Sequence, residues 1–216
     1  MTAHTGDAAA VRVTLALKEW DVVVAALEQG RQAILIRKGG LDDPDQRLPV
    51  PEGRFWLYPT LFHERGVFLR PEHRALLVPG AHRLPRSEAT TLGRPEGHGR
   101  PVAAGCVALR AVGEVVHSEL APDLASLSRL LPLTVWTQKY PTLRYRWRPE
   151  EKPLVLVLRV SVLAQPVEIA ERSEYGGCRS LVDLVDPPDA ATATPVWTEE
   201  RLESEVEAVR AALSGR

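Results

Sequence analysis

Asparagine does not occur in the 216 residues, and methionine occurs once. Phenylalanine, isoleucine, tyrosine and lysine are also scarce, while arginine outnumbers lysine 23 to 4. The depleted residues share A/T-rich codons, so a G/C-rich genome accounts for the bias. Counting arginines therefore says nothing about function, although their positions still can. Only two cysteines are present, Cys106 and Cys178, far apart and in no C-x-x-C pair. That excludes a disulfide-stapled scaffold and a thiolate zinc site. No apolar run approaches the roughly 20 residues of a membrane helix, and the candidate at 154–158 stops at Arg159. The opening residues lack a basic segment followed by an apolar one, so no signal peptide is expected. A cytoplasmic protein with no membrane partner is the expectation.

Standard catalytic signatures are missing as well. There is no G-x-x-x-x-G-K-[ST] phosphate loop, no G-x-G-x-x-G after a strand and no G-x-S-x-G nucleophile elbow. His63-Glu64 does not continue into H-E-x-x-H. His63, His73, His82, His98 and His117 are scattered without ligand spacing, so neither a metal nor another cofactor is expected.

What is present is ordinary globular material, with 44% hydrophobic and 25% charged residues. Eighteen prolines and fifteen glycines indicate short elements and many loops. Residues 1–10 read as a mobile tail. Residues 15–29 read as an amphipathic N-terminal helix, with Leu17, Trp20, Val23, Val24 and Leu27 at helical spacing and Gly30 ending it. Strands are expected at 32–38, at 55–58 before Pro59, over 102–116 as one long or bulged strand, and at 154–163. Residues 167–170 read as the hairpin partner of that last strand, after Pro166. Residues 79–100 form a long excursion. A mid-chain helix covers 122–131, and the aromatic, basic stretch 136–147 has no clear element type. Residues 187–197 form a Pro/Ala/Thr linker. Thr198 then caps a C-terminal amphipathic helix, 198–213, with Glu199 and Glu200 in its first turn and Leu202, Val206, Val209 and Leu213 as its stripe.

Helices and strands alternate without a regular βαβ rhythm. The expected fold is α+β: a mixed sheet or small partly open barrel with an N-terminal, a mid-chain and an appended C-terminal helix. Residues 11–186 are taken as one domain.

Several separated segments carry a family likeness: Ala16-Leu-Lys-Glu-Trp20, Ile34-Leu-Ile-Arg-Lys-Gly-Gly40, Phe55-Trp-Leu-Tyr-Pro-Thr60, Trp136-Thr137, Pro153 to Val160 and Glu174-Tyr-Gly-Gly-Cys-Arg-Ser180. Over roughly residues 15–184 the chain resembles an uncharacterised bacterial family catalogued as domain of unknown function 1802. The chain departs from the likeness at Pro141-Thr-Leu143 and in the C-terminal helix after the linker. It implies a family and no activity.

Three clusters are candidates for function. Arg37 and Lys38 end a strand before Gly39-Gly40, where the backbone could approach a phosphate closely. The alternative is an ordinary turn with solvated charges. Arg54, Trp56, Tyr58 and His63 form the second cluster; in the strand, Phe55 and Leu57 share one face and Trp56 and Tyr58 the other. If the first pair faces the core, the second could stack on bases; two-sided burial is the alternative. Lys139, Tyr140, Arg144, Tyr145, Arg146, Trp147 and Arg148 interleave cations with aromatics, and no acid lies between Trp136 and Pro149, a composition suited to nucleic acid. Residues 54–148 carry a net charge of +7 between segments of −2 and −6.

Candidates for chemistry are Cys178, which follows two glycines and precedes Arg179, with His63 or His117 as base, and a nuclease grouping of Glu19, Glu64 and Lys38 around a metal. The leading expectation is an RNA- or DNA-binding protein, with Arg37, Lys38, Arg144, Arg146 and Arg148 on phosphates and Trp56, Tyr58 and Tyr140 stacking. The alternatives are a nucleotide- or nucleic-acid-directed hydrolase, and an interaction module or homodimer joined through the C-terminal helix.

Overall fold

The computed structural model describes residues 12–60, 66–77 and 105–215. The tail 1–10, the excursion 79–100, and His63 and Glu64 lie outside the described residues. The fold is α+β: a curled, mixed half-barrel sheet with helices packed against it. Its strands are β1 (Leu15–Trp20), β2 (Ile34–Arg37), β3 (Arg54–Thr60), β4 (Cys106–Leu120), β5 (Leu154–Ala170), β6 (Leu181–Asp183) and β7 (Thr194–Pro195). The order across the sheet is β2-β5-β4-β3-β1-β6, with β7 on β5. Among the described strands, only β1 and β3 run parallel to each other. The helices are α1 (Asp21–Glu28), α2 (Leu124–Arg129), α3 (Lys139–Arg146) and α4 (Glu199–Ser214).

The expected N-terminal helix 15–29 is corrected to a strand followed by a shorter helix. Ala16 and Leu17 point to opposite faces of β1, and both are fully buried. Burial on both faces erases the alternation that marks a half-exposed strand, and the apolar spacing then mimics a helix. The expected 154–163/167–170 hairpin is corrected too, because β5 runs unbroken to Ala170. Leu109 and Ala111 of β4 pair with Val167 and Val162, so residues 163–166 bulge opposite Arg110. Pro166 sits in that bulge, where its missing N–H removes no ladder bond. Stretch 136–147 contains α3.

Two cores flank the sheet. The larger joins α1, β2, Phe55, Leu57, α2 and α4. The smaller holds Ala16, Trp56, Tyr58, Val107, Leu109, Tyr175, Val182, Leu184 and Ala190. The second core is closed by the 175–190 segment, so residues expected as a linker contribute the buried Ala190 as well as β7.

Thr198 caps α4 by accepting from Arg201 N–H, and Gly215 ends it with φ of 76°. Leu202, Val209 and Leu213 are buried against the chain's own core, and α4 packs on α2. Arg129 Nε donates to the Ala212 carbonyl (2.6 Å), and Arg159 bridges Glu114 and Glu199 from β5 (both 2.8 Å). The hydrogen bonds that Arg159 donates to Glu199 and Glu114 raise its pKa and keep it charged.

Candidate nucleic-acid interface

The C-terminal end of β1 delivers Glu19 and Trp20 beside the end of β2 and the inner face of α3. Glu19 is buried, and its Oε2 lies 2.6 Å from Arg37 Nη1. Arg37 also donates to the Lys18 carbonyl (2.7 Å) and, through Nη2, to Ser180 Oγ (3.0 Å). Glu19 Oε1 accepts from Trp20 N–H (2.8 Å). A buried ion pair is tolerated only when its remaining lone pairs and protons find partners, and these do.

Helix α3 packs over this pair. Trp136 and Tyr140 stack with ring centroids 4.1 Å apart and planes 11° from parallel. Trp20 meets both edge-on, at 5.9 and 5.8 Å. Tyr140 Oη donates to the Ile36 carbonyl (3.1 Å) and accepts from Arg144 Nε (3.1 Å). Burial raises the Tyr140 pKa against the pull of Arg144, so the phenol stays neutral and serves as a fixed hydrogen-bonding post. The Arg144 guanidinium carbon lies 4.6 Å from the Trp20 ring centroid and 5.3 Å from that of Tyr140, within cation–π range.

Several residues expected to touch nucleic acid are occupied inside the protein. Trp56 and Tyr58 do lie opposite Phe55 and Leu57, but they are buried in the second core rather than offered for stacking. Covering a side chain of this size stabilises by about 1.5–3 kcal/mol, and Trp56 Nε1 donates to the Val13 carbonyl (3.0 Å). Tyr140 is likewise buried. Arg37 is committed to Glu19. Lys38 is 3% exposed and donates to the carbonyls of Tyr145, Trp147 and Arg148, so it closes the C-terminal end of α3. Desolvation lowers the Lys38 pKa, with Glu151 opposing that shift.

Arg148 donates to the Gly39 and Gln46 carbonyls (2.8 and 2.9 Å) and pairs with Glu151. Gly39 and Gly40 are packed closely against neighbouring backbone. A Cβ on Gly40 would fall 1.7 Å from the Cys178 carbonyl oxygen, and one on Gly39 would fall 2.2 Å from that of Gln46. These glycines let two loops touch. Asp42 and Asp43 reinforce the contact by accepting from the N–H groups of Cys178 and Ser180 (both 2.7 Å).

Arg54, Lys139 and Arg146 remain exposed, and Arg144 is half-exposed. Leu143 and Trp147 are exposed apolar neighbours on and after α3. Cys178 is exposed. His117, named as one base for it, sits on β4 against Glu119 (3.3 Å). Among the described residues, no group of His, Cys, Asp and Glu could hold a metal, and no helix is long and apolar enough to cross a membrane.

The site residues that sequence reasoning missed are Trp20, which was assigned to a helix stripe, and Lys18 and Ser180. Lys18 Nζ donates to the carbonyls of Tyr175 and Gly177 (both 2.8 Å), drawing the 175–180 turn onto β1. A signal was available in the Glu174–Ser180 segment, where two adjacent glycines favour a turn.

These features define an α+β protein whose curled sheet ends in a buried ion pair and an aromatic–arginine stack. The chain belongs to the family described as Domain of unknown function (DUF1802), which matches residues 16–208. The match therefore runs through the 187–197 stretch and into α4, further than the 15–184 likeness. Among solved structures, the chain is similar to the ASCH protein from Zymomonas mobilis, with 13% identity over 90% of this chain and 93% of that one, at a TM-score of 0.43. A mutant of that protein is similar at 15% identity over 81% and 90%, with a TM-score of 0.44. No curated protein matches the chain.

Proposed function

We propose that this protein binds nucleic acid, RNA or DNA, through the outer face of α3 and the rim beside it. The observation that supports this reading is the exposed row Lys139, Leu143 and Arg146, which recurs one and two turns apart on α3, with exposed Trp147 at its end. No acid lies between Trp136 and Pro149 to neutralise it. Cations for phosphates beside apolar and aromatic surface for bases are the composition of single-strand binding faces.

The test is fluorescence anisotropy with labelled single-stranded RNA, single-stranded DNA and duplex DNA across a salt series. Binding is expected to be strongest for a single strand, with log K falling linearly against log salt. The Lys139→Gln/Arg146→Gln double variant should lower the slope by about 1.4, at roughly 0.7 for each phosphate contact on a single strand. Failure of all three probes at low salt would remove the reading, as would an unchanged slope in the double variant. Shortening of the labelled strands during the assay would favour the hydrolase alternative.

A further inference from the structure

Cations around the end of β1 fall into two groups. Arg37, Lys38, Lys18 and Arg148 each donate to two or more carbonyl, hydroxyl or carboxylate oxygens of the chain. Arg144 does not. Among the described residues its side chain makes one hydrogen bond, from Nε to Tyr140 Oη (3.1 Å), and Nη1 and Nη2 meet no acceptor. Yet the side chain is half-buried and held on two aromatic rings. Among the described residues, the buried unpartnered side-chain atoms do not include the Arg144 amino groups, so these donors face solvent and are open to a ligand.

The orientation is fixed before any ligand arrives. The Tyr140 hydroxyl both accepts from Nε and donates to the Ile36 carbonyl, so it cannot turn away. Trp20 lies along the guanidinium. These contacts hold the inner edge and leave the outer fork, Nη1 and Nη2, free to make parallel bonds to two oxygens of one anion. The charge balance agrees. The acid that faces this cluster is Glu19, and Arg37 already neutralises it at 2.6 Å. Glu19 gives Arg144 some Coulombic support but makes no hydrogen bond with it among the described residues.

We propose that the Arg144 fork, seated on Trp20 and Tyr140, is a discrete oxyanion site that takes a phosphate group. Two sources share that chemistry: free phosphate, or the phosphate of a nucleotide or strand. The choice of phosphate rests on the nucleic-acid reading above, whereas the geometry of the fork does not. Lys139 and Arg146 on the outer face of α3 then guide the rest of a strand, while Arg144 fixes one phosphate in register.

The experiment is isothermal titration of the full chain with inorganic phosphate, with a nucleoside 5′-monophosphate and with a trinucleotide. The proteins are wild type, Arg144→Gln, Arg144→Lys and Lys139→Gln/Arg146→Gln, each checked for folding by circular dichroism. Charge-assisted bonds of this kind correspond to about a tenfold to hundredfold change in affinity, and Arg144→Gln should lose that much for all three probes. Arg144→Lys keeps the charge and not the fork, so it should recover only part. The Lys139/Arg146 double variant should bind inorganic phosphate like wild type and lose strand affinity.

Tighter binding of the monophosphate than of inorganic phosphate identifies the nucleotide as the source; equal binding identifies free phosphate. The proposal fails if wild type takes up no phosphate at millimolar concentration, or if folded Arg144→Gln binds as wild type does. Should Arg144→Gln not fold, undiminished phosphate binding by Arg144→Lys overturns the fork. Strand binding lost with phosphate binding intact sinks the nucleic-acid reading alone. The reverse sinks this site alone.

Discussion

Glu19→Gln is expected to lower folding stability by about 3 kcal/mol, the low end of the cost of breaking a buried ion pair from one side. The pair is short (2.6 Å), with side chains 3% and 11% exposed, so solvent cannot replace the lost partner. Glutamine keeps the volume and one acceptor, and Arg37 retains the Lys18 carbonyl and Ser180 Oγ. These place the loss at the low end of the range. For a chain of this size each kcal/mol shifts the melting temperature by about 2–4 °C, so a fall of roughly 6–12 °C follows.

The companion variants are Glu19→Leu, Arg37→Met and the double Glu19→Leu/Arg37→Met. Two apolar side chains of similar bulk remove both buried charges together, so the double should be more stable than the sum of the single losses predicts, by about 1–3 kcal/mol. Urea unfolding at neutral pH, followed by circular dichroism with the slope checked for constancy, measures all of these. A Glu19→Gln loss below about 1 kcal/mol, or strict additivity in the double, would refute the view of this pair as a closed unit.

Three further outcomes are expected. Gly40→Ala should destabilise by at least about 2 kcal/mol in the same urea assay, because its Cβ would strike the Cys178 carbonyl, a backbone atom with no rotamer to change. Burial and the charge of Arg70 hold His73 below the usual histidine range, and Arg70 Nη2 lies 3.0 Å from His73 Nε2, a contact that needs the neutral ring. With the folded pKa below the unfolded one, stability is complete above about 6.5 and falls as pH drops toward the folded value; His73→Gln should flatten that part of a urea-midpoint profile, and an identical profile would count against it. Thr198→Ala should cost about 1 kcal/mol and Thr198→Ser almost nothing in thermal melts, since only the capping oxygen matters.

Elements with one exposed face or strong punctuation were legible in the sequence. Thr198, the two glutamates after it and the Leu202–Leu213 stripe located α4 almost to the residue. Gly39-Gly40 ended β2 as expected. Strand β1 was not legible, because both of its faces are covered and its alternation disappears. Pro59 and Pro166 misled in the same direction. Each reads as a strand end, yet Pro59 lies beyond the Arg54–Trp56 stretch that pairs with β4, and Pro166 lies in a bulge.

At the site, residue identity pointed to the right neighbourhood and the wrong roles. Arg37, Lys38 and Arg148 are as basic as Arg146, and nothing local reveals that a distant Glu19, a helix terminus or a loop carbonyl will occupy them. The parity of β3 was correct, but the sequence could not show that the 175–190 segment returns to cover Trp56 and Tyr58.

The strand order has a consequence for synthesis on the ribosome. Leu15 pairs with Asp183, Ile34 pairs with Val157, and Lys18 holds the Tyr175 carbonyl. Strand β1 can join β3 early, but β2 has no edge to join until β5 has been made. Until then the nascent Ile34–Arg37 segment, apolar on both faces, is exposed and can pair with other chains. Expression yield in this family should therefore depend on translation rate and chaperone supply more than equilibrium stability would suggest.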